Sequence, residues 1–238
     1  MKTKVSLIIV ILILFANTSF SQWGFISTLG AGGGVQFSYL SPSLDDINKE
    51  FKKVGLPELN NSILGFGGGG GVSFGRIRVG GYGWSGKTSA TSNRNYNSEN
   101  YESKIKLDYG GGFGIVGLEL YQTKRFVFNF DLGIGGGGLD FFIIDKKSNF
   151  DTWDKSLYPL TSSGNYSRKI SYSFFALQPS IVIEYIYGNF FKMFFATDYN
   201  FILNGNWDRD DEFDLVNVPK MNFNGFSIRL GFYLGIFL

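Results

Sequence analysis

The stretch that decides the fold is Gly225-Phe226-Ser227-Ile228-Arg229-Leu230-Gly231-Phe232-Tyr233-Leu234-Gly235-Ile236-Phe237-Leu238. Its even-numbered residues are all large and apolar, whereas the odd-numbered residues are mostly small or polar. Because successive side chains of a β-strand point to opposite faces, this alternation predicts one long strand with a continuous apolar face. A water-soluble sandwich would turn that face inward, and a barrel in lipid would turn it outward. We expect the second arrangement.

Seven further segments show the same alternation. In residues 126–144, Phe126, Phe128 and Phe130 fall on one face, while Asn129 and Asp131 fall on the other. A tilted strand of about 10 residues is enough to cross a bilayer, so segments of this length suit a membrane barrel. The seven segments comprise residues 25–40, 62–74, 77–85, 101–121, 126–144, 169–186 and 190–202.

The connections between these segments alternate in length. Three are tight hairpins, at residues 75–76, 122–124 and 188–189, and four are long and polar, at residues 41–61, 86–100, 145–168 and 203–220. Short periplasmic turns and longer extracellular loops are typical of bacterial outer-membrane barrels, which have an even number of strands. The sequence therefore predicts an all-β fold, an eight-stranded antiparallel up-and-down transmembrane β-barrel with both termini in the periplasm.

The first long connection contains a short amphipathic helix, predicted over residues 43–54. Ser43 is placed to cap its start, and Gly55 followed by Pro57 ends it. The helix has an apolar stripe, which has to pack against the barrel rim, another loop or the mouth of the lumen, and the sequence does not decide among these. The residues of the stripe are Leu44, Ile47, Phe51 and Val54.

The first 21 residues have the order of a secretory signal peptide: Lys2 and Lys4, an apolar run, then a small and polar stretch. We expect cleavage after Ser21, which leaves a single barrel domain over residues 22–238. Removing two lysines and no acids leaves 20 basic residues (22 − 2) against 20 acidic residues. A neutral exported chain is not expected to bind nucleic acid.

These features together resemble the small eight-stranded outer-membrane proteins of the OmpA and OmpX type. The resemblance covers the whole mature chain as a pattern, and it includes residues 225–238, which look like the family's assembly signal. The chain ends on Leu238, where the family usually has an aromatic residue. The resemblance implies an outer-membrane location, contact with lipid, recognition by the barrel-assembly machinery through the last strand, and a lumen closed by charged side chains.

Placing the apolar faces outward leaves a balanced set of charges for the lumen. Ionic side chains belong there because a charge facing lipid at mid-bilayer costs about 2 to 4 kcal/mol. Many inward positions of the first five strands are glycine, so large groups on the later strands can fill the space opposite them; a real cavity is the alternative. The facing of residues 77–85 stays open, because Tyr82 and Trp84 fall on the side assigned to the lumen. The predicted lumen network consists of Arg78, Lys106, Asp108, Asp131, Glu184, Lys192, Asp198 and Arg229.

Several motifs look chemical but lie in the wrong context. Residues 81–88 match a phosphate-loop pattern, and residues 112–117 and 133–138 match a dinucleotide-binding pattern, yet none of them joins a strand to a helix. The acidic run at residues 208–214 lacks the glycine and closing glutamate of a calcium loop. The chain contains no histidine, the usual base of outer-membrane hydrolases. We therefore expect no catalysis, no cofactor and no metal site.

The hypothesis that remains is a structural or surface-interaction barrel that meets an extracellular ligand at its loops. The alternatives are a transporter or binder of a small apolar or amphipathic solute through a glycine-lined lumen, and a soluble β-sandwich. The candidate loop contacts are Trp153, Trp207, Asp208, Asp210, Glu212 and Asp214.

Overall fold

A computed structural model describes residues 29–96, 99–146, 166–216, 218 and 221–237. The elements follow in the order β1 (Leu29–Pro42), α1 (Asp45–Lys53), β2 (Ile63–Phe74), β3 (Ile77–Tyr96), β4 (Glu99–Gln122), β5 (Phe126–Lys146), β6 (Tyr166–Tyr187), β7 (Phe191–Arg209), β8 (Phe213–Asp214) and β9 (Gly225–Phe237). The predicted signal peptide lies outside the described residues. Within the described ranges, no helix is long and apolar enough to cross a bilayer.

The strands form one closed antiparallel ring. Each strand pairs with its neighbour in sequence from β1 to β7; β9 then pairs with both β7 and β1 and closes the ring. The two-residue β8 adds only a short pairing with β7. The predicted all-β, eight-stranded up-and-down barrel, with one short helix in the first long connection, is thereby confirmed.

The three short turns lie together at one end of the barrel, with the start of β1 and the end of β9. Gly75 and Gly188 take positive φ values of 58° and 64°, a backbone conformation that glycine adopts without strain. In the turn between β4 and β5, the Thr123 hydroxyl accepts a hydrogen bond from the Phe126 N–H at 2.9 Å. We refer to this end as the short-turn end, and to the opposite end as the long-connection end.

The walls at the long-connection end are taller than expected. β3 continues to Tyr96 and β4 starts at Glu99, so the predicted polar loop over residues 86–100 is wrong. The Ser, Thr and Asn residues between Lys87 and Tyr96 form strand because each is paired with a residue of β4, from Lys87 with Asp108 to Tyr96 with Glu99. Likewise β7 extends to Arg209, well into the predicted loop over residues 203–220.

The helix α1 packs over the long-connection end of the lumen. Leu44, Ile47 and Phe51 are buried, whereas Val54, the fourth predicted member of the stripe, is exposed. The predicted cap is also wrong: Leu44, not Ser43, occupies the cap position, and it forms no side-chain cap hydrogen bond. Gly55 follows with φ 73°, as expected for the end of a helix.

Candidate functional site

The side chains of the ring alternate as the sequence predicted in β5, β6 and β9. Phe226, Ile228 and Leu230 are exposed on the outer wall, while Ser227 and Arg229 between them are buried in the lumen. In β3, Tyr82 and Trp84 are also buried inside, which resolves the facing of that strand. The outer wall is therefore largely apolar, and polar groups are enclosed.

A first group of lumen charges gathers around Glu184. Arg78 Nη1 donates to Glu184 Oε1 at 2.6 Å, and Lys192 Nζ donates to Glu184 Oε2 at 2.9 Å. Arg78 Nη2 also lies 3.1 Å from Asp131 Oδ2. Four strands, β3, β5, β6 and β7, thus contribute to one cluster of two cations and two carboxylates.

A second group surrounds Arg229. Its guanidinium donates to Asp198 through Nε and Nη2, both at 2.7 Å, and the Ser227 hydroxyl donates to the same carboxylate at 3.1 Å. The guanidinium carbon also lies 3.9 Å from the centre of the Tyr82 ring. The Tyr82 hydroxyl donates to Gln178, whose amide donates to Asn200 at 2.8 Å. This chain of contacts crosses the lumen and joins opposite walls.

Six of the eight predicted lumen charges are therefore brought together inside the barrel, three cations and three carboxylates. Lys106 and Asp108 are not among them. Both lie on the outer face of β4, where Lys106 is exposed and Asp108 pairs with Lys87 at 3.0 Å. Their placement in the lumen was wrong because apolar side chains of β4, Ile105 and Leu107, occupy its inner face at this height.

Above the charges, toward the long-connection end, the lumen is filled by an apolar core. Phe51 of α1 meets Phe141 at a ring-centre distance of 5.7 Å, and Trp84 meets Tyr109 at 4.7 Å. A methyl group on Gly137 would lie 2.9 Å from the ring of Phe174, its partner on the adjacent strand β6, so this inward glycine makes room for an aromatic side chain in the lumen. Sequence reasoning predicted this filling in general terms, but it missed the core formed by β3, β4 and α1.

Below the charges, a cavity of about 420 Å³ opens at the short-turn end. Arg78, Glu184 and Lys192 lie on its wall, together with residues of all three short turns. Asn129 also lines this cavity; its side chain is buried, and its Nδ2 has no hydrogen-bond partner in the described part of the chain. The alternation pattern gave no sign of this cavity, because it depends on how the turns surround the opening.

The candidate loop contacts divide into three groups. Trp153 lies outside the described residues. Trp207 is partly buried in the apolar core, 4.8 Å from the Tyr172 ring, so it packs inside the protein. Asp210, Glu212 and Asp214 are exposed near the turn after β7, while Asp208 is partly buried. No three of the described acidic residues are grouped so that they could hold a metal ion.

No protein-family model matches the chain, and no curated protein is similar to it in sequence. Among solved structures, it is similar to the attachment invasion locus protein Ail of Yersinia pestis in complex with the heparin analogue sucrose octasulfate, with a TM-score of 0.40, 11% identity, and coverage of 88% of this chain and 99% of Ail. It is also similar to the outer membrane protease OmpT of Escherichia coli, with a TM-score of 0.38, 8% identity, and coverage of 92% and 100%.

Proposed function

We propose that this protein is an outer-membrane barrel with a closed lumen and a surface-interaction role carried by its long-connection end. The apolar outer wall supports the membrane part of the proposal. Leu64, Phe66 and Phe226 are each more than half exposed there. Soluble monomers rarely expose continuous apolar surface of this extent, whereas lipid-facing walls of barrels require it.

The membrane proposal is tested by fractionating cells that produce the protein. We expect it to sediment with the outer membrane, to resist extraction by salt and alkali, and to dissolve only in detergent. Recovery of a monomeric protein in plain buffer would contradict the membrane proposal and favour a soluble barrel.

One observation carries the surface-interaction role. Within the described part of the chain, residues 87–96 of β3 pair with β4 alone, because β2 ends its pairing with β3 at Gly86. Alternate residues of such an edge strand direct their N–H and C=O groups away from the sheet, where another extended chain can pair with them. The exposed acidic residues Asp210, Glu212 and Asp214 belong to the same end of the barrel.

The role of the β3 edge, residues 87–96, is tested with two single proline variants, Thr91→Pro and Ser92→Pro. Because N–H directions alternate along a strand, one variant breaks the ladder to β4 and the other removes only an outward N–H. Heat-modifiable gel migration and amide hydrogen exchange identify the variant that keeps the hairpin. Cells displaying that variant should adhere less than wild-type cells to one another or to surfaces coated with extracellular-matrix proteins. Equal adhesion would show that the edge is not the contact, and absence of wild-type adhesion would count against the role itself.

The alternative function, passage of a small solute, is tested by conductance across a planar bilayer. The apolar core and the ion pairs around Glu184 and Arg229 fill the lumen, so we expect no steady openings. Reproducible ohmic openings would favour transport and contradict the closed lumen. The proposed role uses no cofactor and no catalysis, and its partners are lipid, the assembly machinery at β9 and a ligand at the long-connection end.

A further inference from the structure

The cavity at the short-turn end has a strongly uneven distribution of charge. Two of its lining residues are acidic, Glu119 and Glu184. Five carry positive charge, so the lining has a formal net charge of +3 (5 − 2). The five cations are Arg76, Arg78, Lys124, Arg125 and Lys192.

The positive charge at the rim is only partly compensated. Arg78 and Lys192, on the inner wall, are already paired with Glu184 and Asp131. Arg76, Lys124 and Arg125, by contrast, form no salt bridge with any described residue and are exposed around the opening, although Glu119 attracts Arg76 electrostatically. A group of fixed cations at the mouth of a low-dielectric cavity attracts anions and raises their local concentration.

A second observation points to a ligand inside the cavity. Asn129 is only 2% exposed, and its Nδ2 makes no hydrogen bond within the described ranges although it lines the cavity. A buried donor without a partner is unfavourable, so such groups normally have an acceptor. An anionic oxygen entering past the rim would supply that acceptor.

From these observations we infer that the short-turn end is a binding site for a small molecule carrying a phosphate or carboxylate group. Each rim guanidinium, of Arg76 and of Arg125, can donate two parallel hydrogen bonds to a pair of oxygens of such a group, and the Asn129 amide donates to the same group from the wall. The cavity volume falls within the range of about 300 to 1,000 Å³ that is usual for small-molecule sites. The ion pairs around Glu184 close the site toward the lumen, so the ligand enters and leaves by the short-turn end. The site lies at the opposite end of the barrel from the edge of β3 and does not depend on the role proposed for that edge.

The test follows the Asn129 side-chain amide by NMR during titration of the folded barrel in zwitterionic detergent. The probes are inorganic phosphate and citrate, added to millimolar concentration. The same amide is then compared between nanodiscs of phosphatidylcholine alone and nanodiscs that contain phosphatidylglycerol. A saturable shift with the soluble anions identifies a dissolved ligand, whereas a shift only with phosphatidylglycerol identifies a lipid headgroup. Either result supports the site, and no shift in any of the three conditions overturns it.

The variants separate a built site from general attraction. The double variant Arg76→Gln and Arg125→Gln should weaken binding at least about tenfold, because it removes the two guanidiniums that would donate charge-assisted hydrogen bonds to the anion. The matched control, Lys104→Gln with Lys106→Gln, removes the same charge from the long-connection end and should leave binding unchanged. Both pairs lie at the surface, and heat-modifiable migration checks that they fold. Equal weakening by the two pairs would show attraction by net charge alone and would overturn the site.

Discussion

Replacing Arg229 by leucine is the most direct test of the enclosed charges. The Arg229 guanidinium and the Asp198 carboxylate share two hydrogen bonds of 2.7 Å, and their side chains are 3% and 0% exposed. Leucine removes both bonds and leaves Asp198 with the Ser227 hydroxyl as its remaining partner. The Asp198 carboxylate is then poorly solvated in the packed lumen but well solvated in the unfolded chain. The free energy of unfolding therefore falls.

Removal of one partner from a buried ion pair costs about 3 to 5 kcal/mol of stability. The exposed pair of Lys87 and Asp108, at 3.0 Å on the outer face, provides a matched control. A surface pair contributes only about 0 to 1 kcal/mol, so Lys87→Leu should change the free energy of unfolding by less than that amount. The two variants delete the same kind of contact in two different environments.

The assay is reversible urea unfolding in lipid vesicles, followed by tryptophan fluorescence and by heat-modifiable gel migration. The double variant Arg229→Leu with Asp198→Leu should recover most of the lost stability, because it leaves no unpaired charge in the lumen. A loss below about 1 kcal/mol in Arg229→Leu, or an equal loss in Lys87→Leu, would refute the reasoning.

Three further outcomes follow from the packing and the electrostatics. Phe51→Ala removes the contact with Phe141 and should destabilise the seal over the lumen by up to about 3 kcal/mol, seen as faster hydrogen exchange in α1. Gly231→Ala would place its methyl group 2.4 Å from the Val35 carbonyl and 2.7 Å from the Phe194 ring, and it should cost about 1 to 3 kcal/mol in urea unfolding, whereas Gly114→Ala, 3.7 Å from its nearest neighbour, should be tolerated. The Lys49 ammonium, and then the Asn222 backbone N–H, hold the pKa of Asp46 below its ordinary value. The contact therefore stabilises the fold at pH values above the ordinary carboxyl pKa, and this stability is lost as the pH falls through the lowered pKa of Asp46. In an NMR titration, Lys49→Met should move the titration midpoint of Asp46 upward. An unchanged midpoint would contradict the contact with Lys49.

The strand ring could be predicted from the sequence because lipid imposes a strict alternation. Phe226 to Ile236 and Phe126 to Ile134 each place every second side chain on the outer wall, and in the proposed membrane location a charge substituted there would be unfavourable. The periodicity of 2 also assigned the enclosed faces of β5, β6 and β9 correctly.

The prediction failed where the barrel rises above the lipid. In β4, Leu118 and Val116 face outward near the short-turn end, but nearer the long-connection end Lys106 faces outward and Leu107 faces the lumen. In the proposed membrane location the two halves follow opposite rules, because water would surround one half and hydrocarbon the other, and the rule for lipid was applied to both. The polar composition of residues 87–96 likewise suggested a loop, because pairing with β4 is a tertiary contact that composition does not reveal.

In the proposed membrane location, the length of β4 sets how far the barrel wall extends beyond the bilayer. Its 24 residues span about 80 Å along the strand, and a tilt of roughly 40° reduces this to about 60 Å of height. A hydrocarbon band of about 25 Å leaves about 35 Å, nearly all of it on one side because Gln122 adjoins a short turn. The tall wall formed by β3, β4 and β5 would therefore extend well beyond the headgroups, and a partner on a second surface could contact it without approaching the bilayer.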